Sequence, residues 1–453
     1  MNKIATDIII KNGQILTINS NMEIIENGVI IIKNKKILEI GDIDLLQKYA
    51  SNKIIDANQG IVMPGMVNSH CHLPMIAFRG LGEEGIEDRL MGYFIPLEKE
   101  MLSRQLIYDA TIHGAIDMAM SGVTTYADMY YHVDEMAKAT KKIGLRALLG
   151  QTVVGFPVVD AAKPYDGLEY AKEILDDFKN EELISLAIAP HAPYTVSKNK
   201  LLEIKKFADK HSLMIHIHVA EFADEKNQIK ENIEKLSVVK YLDKIGFLGD
   251  NVLLAHCNYV DDEDFKIIES RGAKIAHNPM ANAKGATGTA RIVEGMEYNI
   301  PIGIGTDGLM GSNVVDLFKV MTYTTTIQRI RKMDRTIMTP EKVVRMATFG
   351  GANALGMDKK IGSLEKGKFA DIIIIETQSM NMIPNYDPYA TLVFQANPHN
   401  VETTIVNGEI IVEKRKLLTY SIKENIKAIN EWIYKIKPFG NELAEKVRNK
   451  NIT

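Results

Sequence analysis

The chain is poor in cysteine: Cys71 and Cys257 are the only two among 453 residues. That excludes a framework of disulfides and makes a reducing cytoplasm the expected home. Each cysteine directly follows a histidine and would face away from it on a strand. Both are therefore expected as buried packing residues, not as ligands. No apolar run approaches the roughly 20 residues of a membrane helix. Residues 1–12 hold no apolar stretch of signal-peptide length. Charge of one sign is also missing. Lys and Arg number 54 against 58 Asp and Glu, a formal net charge of −4, which argues against a general nucleic-acid binder. There is no low-complexity segment and no Pro/Gly/Ser-rich linker. What remains is the composition of an ordinary globular protein, long enough for a large core and more than one domain.

Two styles of sequence alternate along the chain. Residues 7–63 are β-rich, with a hairpin expected at Asn12-Gly13 and a second run of the same style from Gly28. Residues 370–376 read as a strand, and 403–413 as a hairpin around Asn407-Gly408. The β-rich ends are expected to pack together as one small domain. A polar helical stretch, 421–449, follows and carries the single tryptophan, Trp432. In the middle, short apolar runs alternate with amphipathic ones. Strands are expected at 65–69, 122–128, 144–149, 184–189, 213–219, 252–255, 273–276 and 301–305. Helical patterns occupy 96–121, 165–179, 196–211, 224–246 and 261–271, and Thr339-Pro340-Glu341 reads as a later helix start. Eight strand–helix repeats are the count of a (β/α)8 barrel, with a doubly wound sheet as the competing arrangement. The fold class is thus α/β: a (β/α)8 TIM-type barrel plus a small β-sandwich formed by both termini. The boundaries are 1–63 for the N-terminal part of the sandwich, 64–360 for the barrel, and 361–453 for the rest of the sandwich with the terminal helix.

In such a barrel the chemistry sits at the C-terminal ends of the strands. The first strand ends in His70-Cys71-His72, and the alternation of a strand points both imidazoles the same way. The fourth ends at His191. The fifth carries His216 and His218, with Glu221 three residues on. The sixth ends at His256, the seventh at His277 and the eighth at Asp307. Seven of the eleven histidines therefore fall at strand ends or just inside one. Three histidines and an aspartate make a mixed nitrogen and oxygen shell for one divalent ion, with a position left for water. His70, His72, His218 and Asp307 fit that shell. His216 shares a face with His218 and stays an alternative, although His218 is nearer the strand end. A divalent ion lowers the pKa of its water and makes hydroxide available near neutral pH. Glu221 can carry a proton to a substrate ring nitrogen, His256 can orient the nucleophile, and Asp307 can take the water's proton.

These residues resemble the amidohydrolase superfamily over nearly the whole chain. Within it, the sequence looks like the deaminases of S-adenosylhomocysteine and 5′-methylthioadenosine, a group that includes triazine hydrolases. The matching segments are Pro64 to Met75 with Arg79-Gly80, His218-Val219-Ala220-Glu221, Ala255-His256, His277-Asn278-Pro279, Gly305-Thr306-Asp307-Gly308 and Gly362 to Asp371.

The resemblance implies one divalent ion, zinc before iron, held by His70, His72, His218 and Asp307, with Glu221 and His256 as the catalytic pair beside Asp307. It implies a small heterocyclic substrate and a homo-oligomer, dimer or tetramer. Nothing in the sequence points to a nucleic-acid or membrane partner. Pro96-Leu97-Glu98 matches a segment whose glutamate contacts ribose hydroxyls, and His191 matches a substrate-contacting histidine. Arg146 lies where relatives carry an arginine that helps bind substrate, with a structural ion pair as its other reading. A tryptophan usual before the ribose glutamate is missing, and Leu90 or Tyr93 is expected in its space. After His277-Asn278-Pro279 the chain reads Met280-Ala281-Asn282-Ala283-Lys284, where relatives carry Ser-Asn-Leu-Lys. The implied activity is deamination of an adenine nucleoside with a modified 5′ position: 5′-methylthioadenosine, S-adenosylhomocysteine, 5′-deoxyadenosine or adenosine. The alternative is the same chemistry on a pterin, 8-oxoguanine, cytosine or triazine ring. A non-catalytic barrel that binds a small molecule is a distant third.

Overall fold

The computed structural model describes residues 3–83, 86, 88–229 and 236–450. Its middle is a (β/α)8 barrel of parallel strands. They are Met66–His72, Val123–Tyr130, Arg146–Val153, Ile184–Pro190, Met214–Val219, Val252–His256, Lys274–His277 and a divided eighth, Ile302–Ile304 with Asp307–Gly308. The two pieces of the eighth strand lie at opposite ends of the sheet order. Ile304 pairs with His277 of the seventh strand, and Asp307 pairs with Cys71 of the first. The eighth stretch thus closes the ring. Between its pieces, Gly305 N donates to His277 O at 2.8 Å and Thr306 N to His70 O at 3.1 Å. A Cβ on Gly305 would lie 2.8–2.9 Å from the His70 backbone and 2.4 Å from Asn278 Oδ1, so only glycine permits this approach.

The barrel is filled, not hollow. Val67, Ala127, Leu148, Ala187, Leu253 and Ala276 share one cluster with Leu355, Met357 and Ile361. Buried on both faces, the second and third strands show no exposed residue, as parallel strands covered by helices require. Both cysteines are buried and unpaired.

A second, mixed sheet of nine strands takes residues from both ends of the chain. Ile61–Pro64 pairs antiparallel with Ile372–Ile375 and then runs on into the first barrel strand. Ile8, Ile10, Ile30, Ile32, Ile372, Ile374 and Ile405 share one core, an alternating set contributed by both termini. Gly367 N donates to Ile37 O at 2.8 Å and holds the two ends together. The terminal helix Ile422–Lys450 instead packs against the barrel helix Arg104–Met120, where Trp432 Nε1 donates to Asp109 Oδ2 at 2.9 Å. No helix among the described residues is long and apolar enough to cross a membrane.

Several local expectations need correction. Asn12-Gly13 is not a turn: Ile8–Leu16 is one strand that bulges there, with Asn12 at φ 56°. Both halves pair with the same neighbour, Ile24–Lys33, so the extra residue bends the strand without reversing it. The expected helix 96–121 is two helices, Ile95–Met101 and Arg104–Met120. Ser103 Oγ caps the second by accepting from Leu106 N at 3.2 Å. The span 224–246 holds two short helices, Glu225–Gln228 and Val238–Lys244, while 230–235 lie outside the described residues.

Candidate active site

The C-terminal ends of the strands bring five chelating side chains to one point. His70 Nε2 lies 3.3 Å and His72 Nε2 3.4 Å from Asp307 Oδ1. His72 Nε2 and His218 Nε2 are 3.3 Å apart. Ligand atoms of His70, His218, His256 and Asp307 all fall within 4.8 Å of one another. That grouping takes in His256 and leaves out His72, but the short separations favour His72. Two donors on a tetrahedral ion with bonds of about 2.0–2.1 Å stand about 3.3–3.4 Å apart, as these three pairs do. His256 Nε2 instead lies nearest a carboxylate, 3.7 Å from Glu221 Oε2.

The other ring nitrogens explain why the Nε2 atoms converge. His72 Nδ1 donates to the Met129 carbonyl at 2.7 Å, and His218 Nδ1 to the His191 carbonyl at 2.8 Å. A carbonyl only accepts, so each Nδ1 carries a proton and, in the neutral ring, each Nε2 has its lone pair free to bind. His70 Nδ1 meets His216 Nε2 at 2.8 Å, and His70 Nε2 is buried with no hydrogen-bond partner among the described residues. His216 is thus a hydrogen-bond neighbour of His70, with no place in the converging set. Bare nitrogens facing one another and a carboxylate repel unless a cation or a proton lies between them. The residues present therefore fit one metal ion. Burial, despite contact with Asp307, lowers the His70 pKa to about 3. Burial also opposes charge on His72, but the Asp307 and Asp128 carboxylates prevail and raise it to about 9. Burial likewise opposes charge on Asp307, yet its two histidine contacts hold it well below the ordinary range.

A cavity of about 390 Å³ opens over this point, and His72, His218, His256, Glu221 and Asp307 line it. Burial pushes the Glu221 carboxyl upward, with Asp307 adding to the effect and His256 opposing it. Glu98 lines the same cavity and is 4% exposed. The Tyr130 hydroxyl donates to Glu98 Oε1. Burial raises the Glu98 pKa to about 7 against the pull of Tyr130 and His72. His191 lines the cavity as well, with Nδ1 2.9 Å from Thr195 Oγ1, and burial lowers its pKa to about 4. Leu90 reaches the cavity; Tyr93 does not, because its hydroxyl donates to the Gly440 carbonyl at 2.9 Å.

Arg146 is the exception among the expected residues. It stands at the first position of the third strand, at the opposite end from the cavity. Its Nε and Nη2 donate to Asp371 at 2.9 and 3.3 Å in a buried, two-pronged ion pair. The guanidinium ties the barrel to the second sheet and is removed from the substrate-binding set. His277 is also off the cavity, with both ring nitrogens buried and unpartnered among the described residues. Sequence reasoning missed Tyr130, the last residue of the second strand, because the expected strand stopped at Asp128. It also missed Asn258 and Asn282, whose amides surround His256 and Glu221; only their places after the sixth and seventh strands marked them.

The amidohydrolase family profile matches residues 61–411. A 5-methylthioadenosine/S-adenosylhomocysteine deaminase from Syntrophus aciditrophicus is 34% identical over 420 residues, 92% of this chain and 95% of that protein. A 5′-deoxyadenosine deaminase from Methanobrevibacter smithii is 36% identical over 438 residues, 95% of this chain and 98% of that one. The crystal structure of a zinc-bound adenosine deaminase from Xanthomonas campestris superposes with a TM-score of 0.93 at 25% identity, covering 96% of this chain and 100% of its own. Profile, relatives and architecture agree with the histidine and aspartate cluster at the barrel mouth: this chain belongs to the amidohydrolase family.

Proposed function

We propose that the protein is a metal-dependent aminohydrolase that deaminates an adenine nucleoside carrying a modified 5′ position. His70, His72, His218 and Asp307 would hold the ion, and a donor set of three nitrogens and one oxygen suits zinc. A divalent ion there supplies an activated water as nucleophile. The chain's own residues supply the rest. Glu221, its carboxyl pushed up by burial, holds a proton for the ring nitrogen beside the carbon under attack. His256 faces Glu221 across 3.7 Å and orients the attacking water. Asp307 takes the proton that the attacking water loses and passes it to the amino group, which leaves as ammonia.

The observation that carries the nucleoside reading is Glu98. A buried carboxyl with a pKa near neutral, in the same cavity as the ligand cluster, is suited to accept hydrogen bonds from sugar hydroxyls. His191, neutral and beside His218, adds a second polar contact within the cavity. Leu90 on the wall, with no tryptophan among the described residues that line the cavity, where the resemblance implies one, favours the second reading, the same chemistry on another heterocycle.

Ammonia release from 5′-methylthioadenosine, S-adenosylhomocysteine, 5′-deoxyadenosine and adenosine tests the proposal with zinc-loaded protein. Turnover of at least one is expected. Silence on all four, with turnover of a pterin, 8-oxoguanine, cytosine or a triazine, would move the assignment to the second reading.

A further inference from the structure

His256 and Glu221 come from different strands, yet one buried run of side-chain amides joins them. The Glu221 backbone carbonyl accepts from Asn258 Nδ2 at 3.1 Å. Asn258 Oδ1 accepts from Asn282 Nδ2 at 2.7 Å. Asn282 Oδ1 lies 2.9 Å from His256 Nδ1. Asn258 is 5% exposed, Asn282 2% and His256 1%, so water does not substitute for these partners.

The two ends of an amide side chain have nearly the same shape, and its orientation follows from its partners. Here the run is anchored by a group that cannot reverse, since a backbone carbonyl only accepts. Asn258 must turn its NH2 toward Glu221 and so its oxygen toward Asn282. Asn282 must turn its NH2 toward Asn258 and so its oxygen toward His256. An oxygen at 2.9 Å requires the proton on His256 Nδ1, which leaves Nε2 of the neutral ring bare. Two groups oppose this order: Asn278 Nδ2 approaches His256 Nδ1 at 3.5 Å, as a donor would, and Glu221 Oε2 lies 3.7 Å from Nε2. At those lengths both are much weaker than the 2.9 Å contact with Asn282, and the second is too long for a hydrogen bond. The Thr287 hydroxyl, 3.5 Å from Asn258 Nδ2 and 3.4 Å from Asn282 Oδ1, rotates to suit either arrangement.

The anchor itself is held from several sides. Glu221 N donates to the buried Glu225 carboxylate at 2.7 Å. Cys257 N donates to Val219 O at 3.0 Å and Asn258 N to Ala220 O at 2.9 Å, which staples the fifth and sixth strand ends together. Ala220, His256 and Cys257 sit at φ of 52°, 76° and 51°, a conformation that non-glycine residues keep only when their surroundings impose it.

We propose that Asn258 and Asn282 are positioning residues that set the tautomer of His256 from the Glu221 carbonyl, so that His256 Nε2 faces the cavity as a hydrogen-bond acceptor. That atom is buried without a partner among the described residues. It therefore receives a hydrogen bond from the attacking water and does not donate one to it. The residue that carries the proton to the substrate thereby also fixes which nitrogen of the second catalytic group is free. The tautomer stands on geometry alone; its catalytic consequence rests on the function proposed above.

The test reads the tautomer directly. Zinc-loaded full-length protein labelled with 15N-histidine is examined by two-bond 1H–15N correlation, and His256 is assigned by its loss in His256→Gln. A protonated Nδ1 and a bare Nε2 are expected; the reverse pattern in the wild-type protein overturns the proposal. Asn258→Leu removes no hydrogen bond made by His256 itself, yet it should mix the two tautomers, whereas Asn282→Asp, still an acceptor, should preserve the wild-type pattern. An unchanged His256 pattern in Asn258→Leu also overturns the proposal, and if that variant does not fold the wild-type spectrum decides. In turnover, Asn258→Leu should lower kcat by about 10- to 100-fold with little change in KM. The expected tautomer in a protein that releases no ammonia supports this inference while refuting the nucleoside reading.

Discussion

His72 and His218 face each other through their Nε2 atoms across 3.3 Å, and each turns its Nδ1 proton onto a backbone carbonyl, of Met129 and His191. The scaffold thus aims two Nε2 atoms at one point, at the spacing of neighbouring ligands. His216 has a different place, behind His70 at 2.8 Å.

The pair predicts a split between the two histidines of the fifth strand. His218→Ala should lose the metal, measured as zinc per chain after gel filtration. His216→Ala should retain it but bind it about 10- to 100-fold more weakly, as removal of a ligand's supporting partner does. The opposite ranking would make His216 the ligand.

Glu221→Gln keeps the side chain's shape and removes its proton transfer. Turnover should vanish while the metal content stays near that of the wild type. An active Glu221→Gln variant would assign the proton to another group.

Glu98 links function to stability through pH. Its folded pKa, raised to about 7 by burial despite the Tyr130 hydrogen bond, lies above the ordinary value of 4.5. Between these two values the folded protein keeps a proton that the unfolded chain has lost, so stability falls as pH rises through this window. Below about 4.5 both states are protonated and the penalty disappears. Glu98→Gln preserves an acceptor for Tyr130 and cannot ionise. It should therefore gain on the wild type from pH 4.5 to 7, up to a difference on the order of 3 kcal/mol. Denaturant unfolding at several pH values checks this. The same variant should raise KM for nucleosides; an unaltered KM would remove Glu98 from the substrate site.

Arg146 and Asp371 form a buried pair remote from the cavity. Arg146→Met strands the Asp371 carboxylate and should cost about 3–5 kcal/mol of stability. kcat and KM below the melting point should hardly change. The double replacement Arg146→Met with Asp371→Leu should recover much of the loss, because an apolar pair of similar volume leaves no charge unpaired.

The parts of the site that were legible before the structure are those governed by strand alternation and by the ends of barrel strands. His70 and His72 share a face because they are two residues apart, and Asp307 ends the last apolar run. The same rule presented His216 and His218 together, and only the backbone carbonyl behind His218 separates their roles. The strand ends were placed short, at Leu149 and Asp128 where the strands reach Val153 and Tyr130. Tyr130 went unnoticed for that reason, and the start of the third strand was assigned a residue of the cavity. Turn chemistry was ambiguous in the same way. Asn407-Gly408 does turn, with φ of 54° and 75° between two antiparallel strands, whereas Asn12-Gly13 lies within one. The dipeptide supplies the left-handed backbone in both places. Which neighbour the flanking residues pair with decides between a turn and a bulge, and that is a property of the whole sheet.

The divided eighth strand gives the ligand set a place in the order of assembly. Asp307 lies on the short piece that docks against the first strand, so the fourth donor arrives only when the ring shuts. A chain caught with seven strands in register would own His70, His72 and His218 but lack the carboxylate. Contacts so distant in sequence form late and slowly. An ion bound by all four groups would therefore tie the first and eighth strands together, and its removal should loosen that seam before any other part of the wall.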